Sequence, residues 1–261
     1  MSTTIHPAAV VMPGAELGAD CEIGPFAYVG PHVKLGDGCR LHPHAMVEGH
    51  TSLGPRCEVF PFACIGGKTQ DLKWKGGTAF VEVGAGCTFR EYVTIHASTQ
   101  DGGRTVVGND CHLLAYCHIA HDCTLGDRVV MSNSTQLAGH VTVEDHVTFG
   151  GMGGAVQFVR IGRFSMVGAT AKVVQDVTPF TLVDGAPAEP RMINKVGLER
   201  AGFTPEQLRA LLDVYRIFFR GGLRAEEAIA KIRVEFANVP EALYFAEFAE
   251  KSGRGVARPR G

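Results

Sequence analysis

Residues 5–35 read IHPAAVVMPGAELGADCEIGPFAYVGPHVKL, and every sixth residue of this stretch is Ile, Leu or Val. The same six-residue beat of large apolar residues continues to residue 65, returns over 83–95 and runs again over 107–173. Of its 26 positions, only Ala155 does not carry a large apolar side chain. An α-helix repeats every 3.6 residues and a flat strand every 2, so neither element explains a period of six.

A β-solenoid does explain this period, because a short strand and a turn together form one side of a coil. Three hexads make a triangular coil of about 18 residues, and successive coils stack at the strand spacing of about 4.8 Å. Glycine often follows a beat residue, and we expect these glycines to serve turns in which a Cβ is costly at positive φ. The beat therefore predicts a mainly β protein built as a parallel solenoid.

Seven of the eight cysteines share one slot, four residues after a beat residue, and only Cys64 lies off this register. Alanine takes the slot in other hexads, so the position needs a small apolar side chain, which a reduced thiol can supply. We therefore predict core packing for these cysteines rather than disulfides or metal binding. They are Cys21, Cys39, Cys57, Cys87, Cys111, Cys117 and Cys123.

The beat breaks near residues 66–82 and 97–106, where polar, glycine-rich segments predict loops that leave the coil. Loops on a rigid scaffold commonly carry function. After residue 184 the composition changes, and the capping box of residues 204–207 predicts a helix that ends at Gly221-Gly222. Two more helices are expected over 225–236 and 241–250. The predicted domains are thus a β-helix over 1–184 and a helical domain over 185–261.

Composition argues against several classes of function. The formal net charge is −2 and no long run of one sign occurs, so a nucleic-acid partner is not expected. No segment approaches the roughly 20 apolar residues of a membrane span, and the N-terminus lacks the basic and apolar regions of a signal peptide. The sequence therefore predicts a cytoplasmic protein without stable membrane insertion.

Three histidines lie on neighbouring coils: His118 and His121 within HIAHDC, and His140 within LAGH. None occupies an inward slot, so each is expected to project outward. Gly139 stands 18 residues, or one coil, after His121. Stacking should therefore place a glycine backbone beside the imidazole of His121.

A histidine beside a backbone donor suits acyl transfer to a hydroxyl. An imidazole, with an ordinary pKa of about 6.5, can accept the hydroxyl proton near neutral pH. The N–H of Gly139 can donate to a developing oxyanion, and Asp122 can orient the imidazole of His121. The sequence offers no clear Ser or Cys nucleophile, so direct transfer is more economical than a covalent intermediate.

The segments IGPFAYVGPHV, TQDLKW, REYVTIH, HIAHDC, LAGHV and GGM, with the helical ending, resemble the UDP-N-acetylglucosamine acyltransferases of lipid A biosynthesis. The likeness spans nearly the whole chain. It implies a left-handed, three-sided parallel β-helix and a homotrimer with active sites between neighbouring solenoids. It also implies transfer of an (R)-3-hydroxyacyl chain from acyl carrier protein to the 3-hydroxyl of UDP-GlcNAc, without a cofactor or metal.

The resemblance assigns roles residue by residue. The general base is His121, its partner is Asp122, and the oxyanion donor is Gly139. Acyl length is set at Ala169, just after Val167-Gly168. The substrate contacts it implies, with the sugar and diphosphate first and the uridine last, are Gln70, Asp71, Lys73, His118, His140, Gln157, Asn194 and Arg200.

Three positions depart from the family pattern. Val156 stands where a His is common, Val196 where a Glu is expected, and Ala201 where the second Arg of a pair is usual. The predicted base and oxyanion donor are present, but the residues expected to contact the nucleotide differ from the family pattern. A 3-amino sugar nucleotide that is acylated on nitrogen therefore remains an alternative acceptor.

Three alternatives remain beside this interpretation. The chain could be another hexapeptide acyltransferase, with a different acceptor or an acetyl-CoA donor. It could be a zinc solenoid of the carbonic anhydrase kind, which requires His118, His121 and His140 to converge on one point. It could also be an assembly scaffold without catalytic activity, which requires that substrate binding be absent.

Overall fold

The computed structural model describes residues 2–259. Its strands form three sheets of 11, 9 and 8 strands, parallel except for the last strand of the largest sheet, that wind as the three sides of a β-helix, and helices follow at the C-terminal end. The mainly β solenoid predicted from the six-residue beat is confirmed, as are the left-handed winding and the helical ending that the resemblance implied.

Most strands are only two residues long, as a hexad with a turn on each side requires. In chain order they are β1 (Thr4–Ile5), β2 (Val10–Val11), β3 (Glu16–Leu17), β4 (Glu22–Ile23), β5 (Tyr28–Val29), β6 (Lys34–Leu35), β7 (Arg40–Leu41), β8 (Met46–Val47), β9 (His50–Leu53), β10 (Glu58–Val59), β11 (Cys64–Gly67), β12 (Phe80–Val83), β13 (Thr88–Phe89), β14 (Thr94–His96), β15 (Arg104–Val107), β16 (His112–Leu113), β17 (His118–Ile119), β18 (Thr124–Leu125), β19 (Val130–Met131), β20 (Gln136–Leu137), β21 (Thr142–Val143), β22 (Thr148–Phe149), β23 (Gly154–Ala155), β24 (Arg160–Ile161), β25 (Met166–Val167), β26 (Lys172–Val173), β27 (Thr181–Asp184) and β28 (Glu189–Ile193).

Each strand pairs with the strand one coil later, so beat residues stack on beat residues. Ile119 of β17 pairs with Leu137 of β20, which pairs with Ala155 of β23. The sheet that contains these strands has the order β2-β5-β8-β11-β14-β17-β20-β23-β26. Residues 18 apart are therefore neighbours along the solenoid wherever no loop intervenes.

From Ile23 onward the beat residues fill one continuous core inside the coil, whereas Ile5 on the first coil is 46% exposed. The seven in-register cysteines lie within this core, each at most 1% exposed. The thiol of Cys123 donates to the carbonyl of Ala138 at 3.2 Å, and that of Cys117 to the carbonyl of Ser132 at 3.1 Å. These cysteines are all free thiols. Their predicted role in core packing is confirmed.

The expectation that glycines supply the positive φ of the turns is mostly wrong. Among the described residues, 18 non-glycine residues adopt φ between 53° and 66°, and they include Arg128, His140 and His146. The glycines after beat residues are needed for another reason. A Cβ at Gly36 would lie 2.6 Å from the backbone nitrogen of Pro55, one coil later, so close stacking of coils excludes a side chain there.

Two segments leave the coil. Residues 68–79 separate β11 from β12, and residues 97–103 separate β14 from β15. Both excursions lie within the ranges that the broken beat predicted. The strands that flank them have three or four residues rather than the usual two, and each loop begins and ends on a paired strand.

Four helices follow the last strands: α1 (Lys195–Arg200), α2 (Pro205–Arg220), α3 (Ala225–Glu235) and α4 (Pro240–Glu250). Helix α2 begins at the predicted capping box, in which Thr204 and Gln207 exchange hydrogen bonds. Helix α1 was not predicted, because six residues are too few for a periodic signal. Strand β28 pairs antiparallel with β27 before the helices begin, and the division between residues 184 and 185 stays a prediction.

Side-chain contacts attach the helices to the last coils. The hydroxyl of Tyr244 donates to Glu144 Oε2 at 2.7 Å, and the guanidinium of Arg163 lies 3.7 Å from the centre of the Tyr244 ring. The backbone N–H of Arg163 also donates to Glu144 at 2.9 Å. No helix within residues 2–259 combines the length and apolar character needed to cross a membrane.

Candidate active site

His121 lies in the turn after β17 and is only 6% exposed. It does project out of the coil, as its register predicted, but neighbouring groups cover it. The hydroxyl of Thr99, on the second excursion, is 3.3 Å from Nδ1, and the carboxylate of Asp71, on the first, is 3.5 Å from Nε2. The two excursions thus form the walls around this imidazole.

Asp122 orients the imidazole of His121 through a contact of 2.8 Å between Oδ2 and Nδ1. The hydroxyl of Ser98 donates to Oδ1, and the hydroxyl and backbone N–H of Thr99 donate to Oδ2 at 2.8 and 3.2 Å. Burial would raise the pKa of Asp122, but the hydrogen bonds from Ser98, His121 and Thr99 outweigh it and lower the pKa to about 2.

This network determines which nitrogen of His121 carries the proton. Asp122 is ionised near neutral pH and can only accept hydrogen bonds. The proton of neutral His121 is therefore held on Nδ1, and the lone pair of Nε2 faces the cleft. An imidazole in this tautomer can accept a proton from a bound hydroxyl or amine.

Gly139 lies beside the imidazole of His121, as the 18-residue spacing predicted. A Cβ built on Gly139 would collide with Cε1 and Nε2 of His121. The N–H of Gly139 donates to no other atom within residues 2–259, so it is available to a ligand. A free N–H next to a base is the arrangement that an oxyanion requires.

A cleft of about 570 Å³ opens over His121 and Gly139. Most of the predicted substrate contacts line it, and three of these, Gln70, Asp71 and Lys73, come from the first excursion. His140 borders the site, since its ring meets that of His121 edge to face at 5.1 Å and stacks on Phe158 at 4.6 Å. The predicted contacts that line the cleft are Gln70, Asp71, Lys73, His118 and Gln157.

His118 forms a half-buried part of the same wall. Its Nδ1 lies 2.7 Å from the hydroxyl of Thr94, and its ring meets that of His96 at 4.8 Å. Burial, followed by the charges of His96 and His121, lowers the pKa of His118 to about 4. His118 is therefore neutral near pH 7, and it can contact a substrate through hydrogen bonds but not as a cation.

The three-histidine zinc site fails on geometry. The potential ligand atoms that converge within 4.8 Å in the described part of the chain belong to His121, Asp122 and His140, and His118 is not among them. The carboxylate of Asp122 is also already engaged by four donors. The converging residues therefore differ from the three histidines that the zinc interpretation requires. The carboxylate among them, that of Asp122, orients the imidazole of His121.

An apolar groove of about 450 Å³ continues from the cleft along the outer face of the sheet. It shares the lining residues His118, Ala120 and Ala138 with the cleft, and Val156 contributes to its wall. Its far end is lined by residues 170–172. Ala169 is exposed in the turn directly before this end and does not line the groove within one chain.

Asn194 and Arg200 lie elsewhere. Together with Ala201 they line a separate cavity of about 550 Å³ that shares no residue with the cleft. Asn194 accepts from the N–H of Gly197 at 3.3 Å and donates to the carbonyl of Phe164 at 2.9 Å. Within one chain, therefore, the predicted uridine contacts do not meet the predicted base.

Sequence reasoning missed the residues that hold Asp122. Ser98 and Thr99 donate to its carboxylate, and the hydroxyl of Thr105 accepts its backbone N–H at 2.9 Å. The only signal for Ser98 and Thr99 was the second break in the beat. A break marks a loop but does not say which coil the loop folds against.

Comparison with known proteins agrees with this site and fold. Two family profiles match: "Bacterial transferase hexapeptide (six repeats)" over residues 104–139 and "Udp N-acetylglucosamine O-acyltransferase; Domain 2" over residues 176–257. An acyl-(acyl-carrier-protein)–UDP-N-acetylglucosamine O-acyltransferase of Anaeromyxobacter sp. (strain K) is 49% identical, over 97% of this chain and 99% of that protein. The chain belongs to this acyltransferase family.

Further relatives support the assignment. The acyltransferase of the same name from Burkholderia lata is 46% identical over 98% of this chain and all of that protein. Among solved structures, LpxA of Acinetobacter baumannii aligns with a TM-score of 0.94 at 37% identity, covering 97% of this chain and 99% of that one. The UDP-N-acetylglucosamine acyltransferase of Francisella novicida gives 0.96 at 33% identity, covering 99% and 95%. The family predicted from the quoted motifs is confirmed.

We predict that Gly139→Ala folds normally but loses turnover. The new Cβ must displace the imidazole of His121, which should lower kcat by about 10²–10⁴, as the loss of a positioned general base does. Gly253→Ala is the control, since a Cβ there meets nothing within 4 Å. Steady-state kinetics and thermal unfolding of both variants test this. A near wild-type kcat for Gly139→Ala would contradict the placement of Gly139.

We also predict an acid-sensitive contribution of His118 to stability. The folded pKa of about 4 lies below the ordinary value of 6.5, so the unfolded chain takes up a proton that the folded chain does not. The free energy of unfolding should therefore decrease as the pH is lowered from 7 to 5. The decrease should be at most about 2 kcal/mol, since solvent partly screens the ring. His118→Gln should lack this loss.

Denaturant unfolding of wild type and His118→Gln at pH 7 and pH 5 measures the difference. His6→Gln serves as the control, since His6 is exposed. If wild type and His118→Gln lose stability in parallel, His118 does not resist protonation as described.

Proposed function

We propose that this protein transfers an (R)-3-hydroxyacyl chain from acyl carrier protein to the 3-hydroxyl of UDP-GlcNAc, the first step of lipid A biosynthesis. His121 is the general base in this proposal. The observation that carries it is the 2.8 Å contact between Nδ1 of His121 and ionised Asp122, with Nε2 facing a cleft lined by Gly139. Membership of the acyltransferase family supports the donor and the acceptor.

The proposed step is a direct acyl transfer. The sugar oxygen attacks the thioester carbonyl carbon while Nε2 of His121 takes the hydroxyl proton. The tetrahedral oxyanion accepts a hydrogen bond from the N–H of Gly139. As the carbon–sulfur bond breaks, the leaving thiolate takes the proton from His121. Asp122 stays ionised throughout and stabilises the transient imidazolium.

The lining of the cleft supports direct transfer over a covalent intermediate. Neither Ser nor Cys is among its lining residues. Cys123 is fully buried, and burial raises the pKa of its thiol to about 12, so it cannot supply a thiolate near pH 7. His121 is therefore left to activate the acceptor itself.

The apolar groove is the proposed site of the acyl chain. It begins at residues that also line the cleft and runs past Gly153 and Gly154, which have no side chain, and Ala155, which has only a methyl, so there is room against the sheet. An acyl chain bound there has its thioester carbonyl beside Gly139 and its far end near residues 169–172. The direction of the groove thus supports a donor with a chain of defined length.

We further propose a homotrimer in the cytoplasm. The cleft and the cavity of Asn194 and Arg200 lie apart within one chain. A nucleotide sugar could contact both groups if the cavity of a neighbouring chain faces the cleft. A site shared between chains is the simplest arrangement that uses all of the assigned contacts.

An acylation assay tests the proposed function. Purified protein is incubated with 3-hydroxyacyl carrier protein thioesters and either UDP-GlcNAc or its 3-amino analogue, with acetyl-CoA as the rival donor. Ester formation on UDP-GlcNAc is the expected result. Exclusive reaction with the amine would favour the nitrogen-acylating alternative, which the departures at Val156, Val196 and Ala201 leave open. Reaction with acetyl-CoA alone would overturn the proposed donor.

We predict that His121→Ala folds and assembles like the wild type but loses nearly all turnover. Removal of a general base should lower kcat by about 10²–10⁴, because in the proposed step the imidazole of His121 is the group that takes the proton of the acceptor hydroxyl. The exposed His6→Ala is the matched control. Assays under saturating substrate decide the point, and near-normal kcat for pure His121→Ala would remove His121 from its role.

We predict that Ala169 limits acyl length. The methyl of Ala169 would block only a small volume at the end of the groove, so the wild type should prefer medium-to-long 3-hydroxyacyl chains. Each methylene of the acyl chain that the groove excludes loses about 0.8 kcal/mol of favourable burial. Ala169→Met should shift the preference to shorter chains, and Ala169→Gly should keep or lengthen it. Competition among thioesters of different length is the measurement. An unchanged profile for Ala169→Met would place the end of the groove elsewhere.

A further inference from the structure

The cavity of Asn194 and Arg200 contains a column of stacked turn residues that the mechanism does not use. Arg128, His146 and Phe164 are each 18 residues apart, and each adopts a positive φ, of 56°, 58° and 57°. The rings of His146 and Phe164 stack at 4.4 Å with an interplanar angle of 9°. The solenoid repeat thus directs one guanidinium and two rings into the same cavity.

The lining of this cavity has the charge of an anion site. Arg128 and Arg200 both contribute guanidinium groups, and the eight residues that line the cavity include no carboxylate. Guanidinium groups bind phosphate oxygens through paired, charge-assisted hydrogen bonds. Two of them in one cavity of about 550 Å³ are suited to a diphosphate rather than to an uncharged ligand.

Both arginines are free to bind a ligand. The carboxylate that pairs with Arg128 is Asp110, whose Oδ2 lies 4.0 Å from Nε, too long for a hydrogen bond, and the Arg128 side chain is 63% exposed. Arg200 has no ion-pair partner within residues 2–259. Other surface arginines of this chain, such as Arg40 and Arg233, are held by carboxylates at 2.9 and 2.6 Å.

His146 supplies a flat, uncharged surface beside Arg128. Burial, and then the charge of Arg128, lowers the pKa of His146, which keeps the ring neutral near pH 7. A neutral ring that is already stacked on Phe164 resembles the surface on which a nucleobase stacks. The cavity therefore combines two cations with an aromatic surface.

We propose that Arg128 binds the diphosphate of the nucleotide substrate together with Arg200. This inference rests on the proposed function, because it takes the acceptor to be a nucleoside diphosphate sugar. It assigns a contact to the β-helix itself, whereas Asn194 and Arg200 belong to the segment after the last strand. Ala201 lines the same cavity and ends in a methyl, so it leaves room for a phosphate and brings no charge.

Equilibrium binding of UDP and of uridine to the full-length protein tests the inference without acyl transfer. Arg128→Ala should weaken UDP binding about tenfold or more, the loss expected for one pair of charge-assisted hydrogen bonds. Uridine, which lacks the diphosphate, should bind within about twofold of wild type. Isothermal titration at fixed ionic strength gives both constants.

Arg56→Ala is the matched control. Arg56 occupies the same turn position three coils earlier, is exposed, and has nearly the same backbone conformation, with φ of 59°. Its removal should leave UDP affinity unchanged. The double variant Arg128→Ala/Ala201→Arg should regain most of the lost affinity, because residue 201 lines the same cavity, whereas a merely structural role of Arg128 would not be rescued.

The outcomes separate this inference from the proposed function. An enzyme that acylates UDP-GlcNAc but binds UDP equally well without Arg128 would overturn the inference alone. Equal losses for uridine and UDP would also overturn it, since the diphosphate would then not be the group recognised. A protein that binds UDP through Arg128 but acylates no UDP-sugar would leave the inference standing and refute the proposed function.

Discussion

The structure depends on the backbone hydrogen bonds that join each coil to the next. The N–H of Ala120 donates to the carbonyl of Leu137 at 3.1 Å, and that of His140 donates to the carbonyl of His121 at 3.1 Å. Slipping one coil against its neighbour would break such bonds around all three sides and move the beat residues out of the core. Residues one coil apart are therefore held in fixed register, and the contact of His121 with Gly139 follows directly.

The chemistry of the site comes from the contrast between this rigid scaffold and the two excursions. The coils position the imidazole and the backbone donor, whereas the loops supply Asp71, Ser98 and Thr99. A buried carboxylate is costly unless donors surround it, and Asp122 is stabilised by two hydroxyls, a backbone N–H and the imidazole. Those bonds keep Asp122 ionised, and its charge in turn determines the tautomer of His121.

The helical segment adds a second cavity to the solenoid. Glu144, Arg163 and Tyr244 hold the helices against the last coils, and the cavity of Arg200 forms where the two parts meet. Because the cleft and this cavity share no residue, the two groups of predicted substrate contacts lie apart within one chain. The same repeat that builds the cleft also aligns Arg128 with His146, so both cavities inherit their geometry from the stacking of coils.

The six-residue beat by itself determined the solenoid, its core positions, the burial of seven cysteines and the juxtaposition of His121 and Gly139. These features repeat, and in stacked coils the spacing of residues along the chain predicts which residues are neighbours in three dimensions. Sequence could not assign Ser98 and Thr99 to Asp122, the enclosure of His118, or the separation of Asn194 from the cleft. The positive φ predicted for the turn glycines was mostly wrong, because the spacing of the glycines does not reveal how closely the backbone of the next coil approaches them. Where the period stops, only the folded chain decides which surfaces meet, since a loop or a helix is positioned by contacts that no fixed spacing encodes.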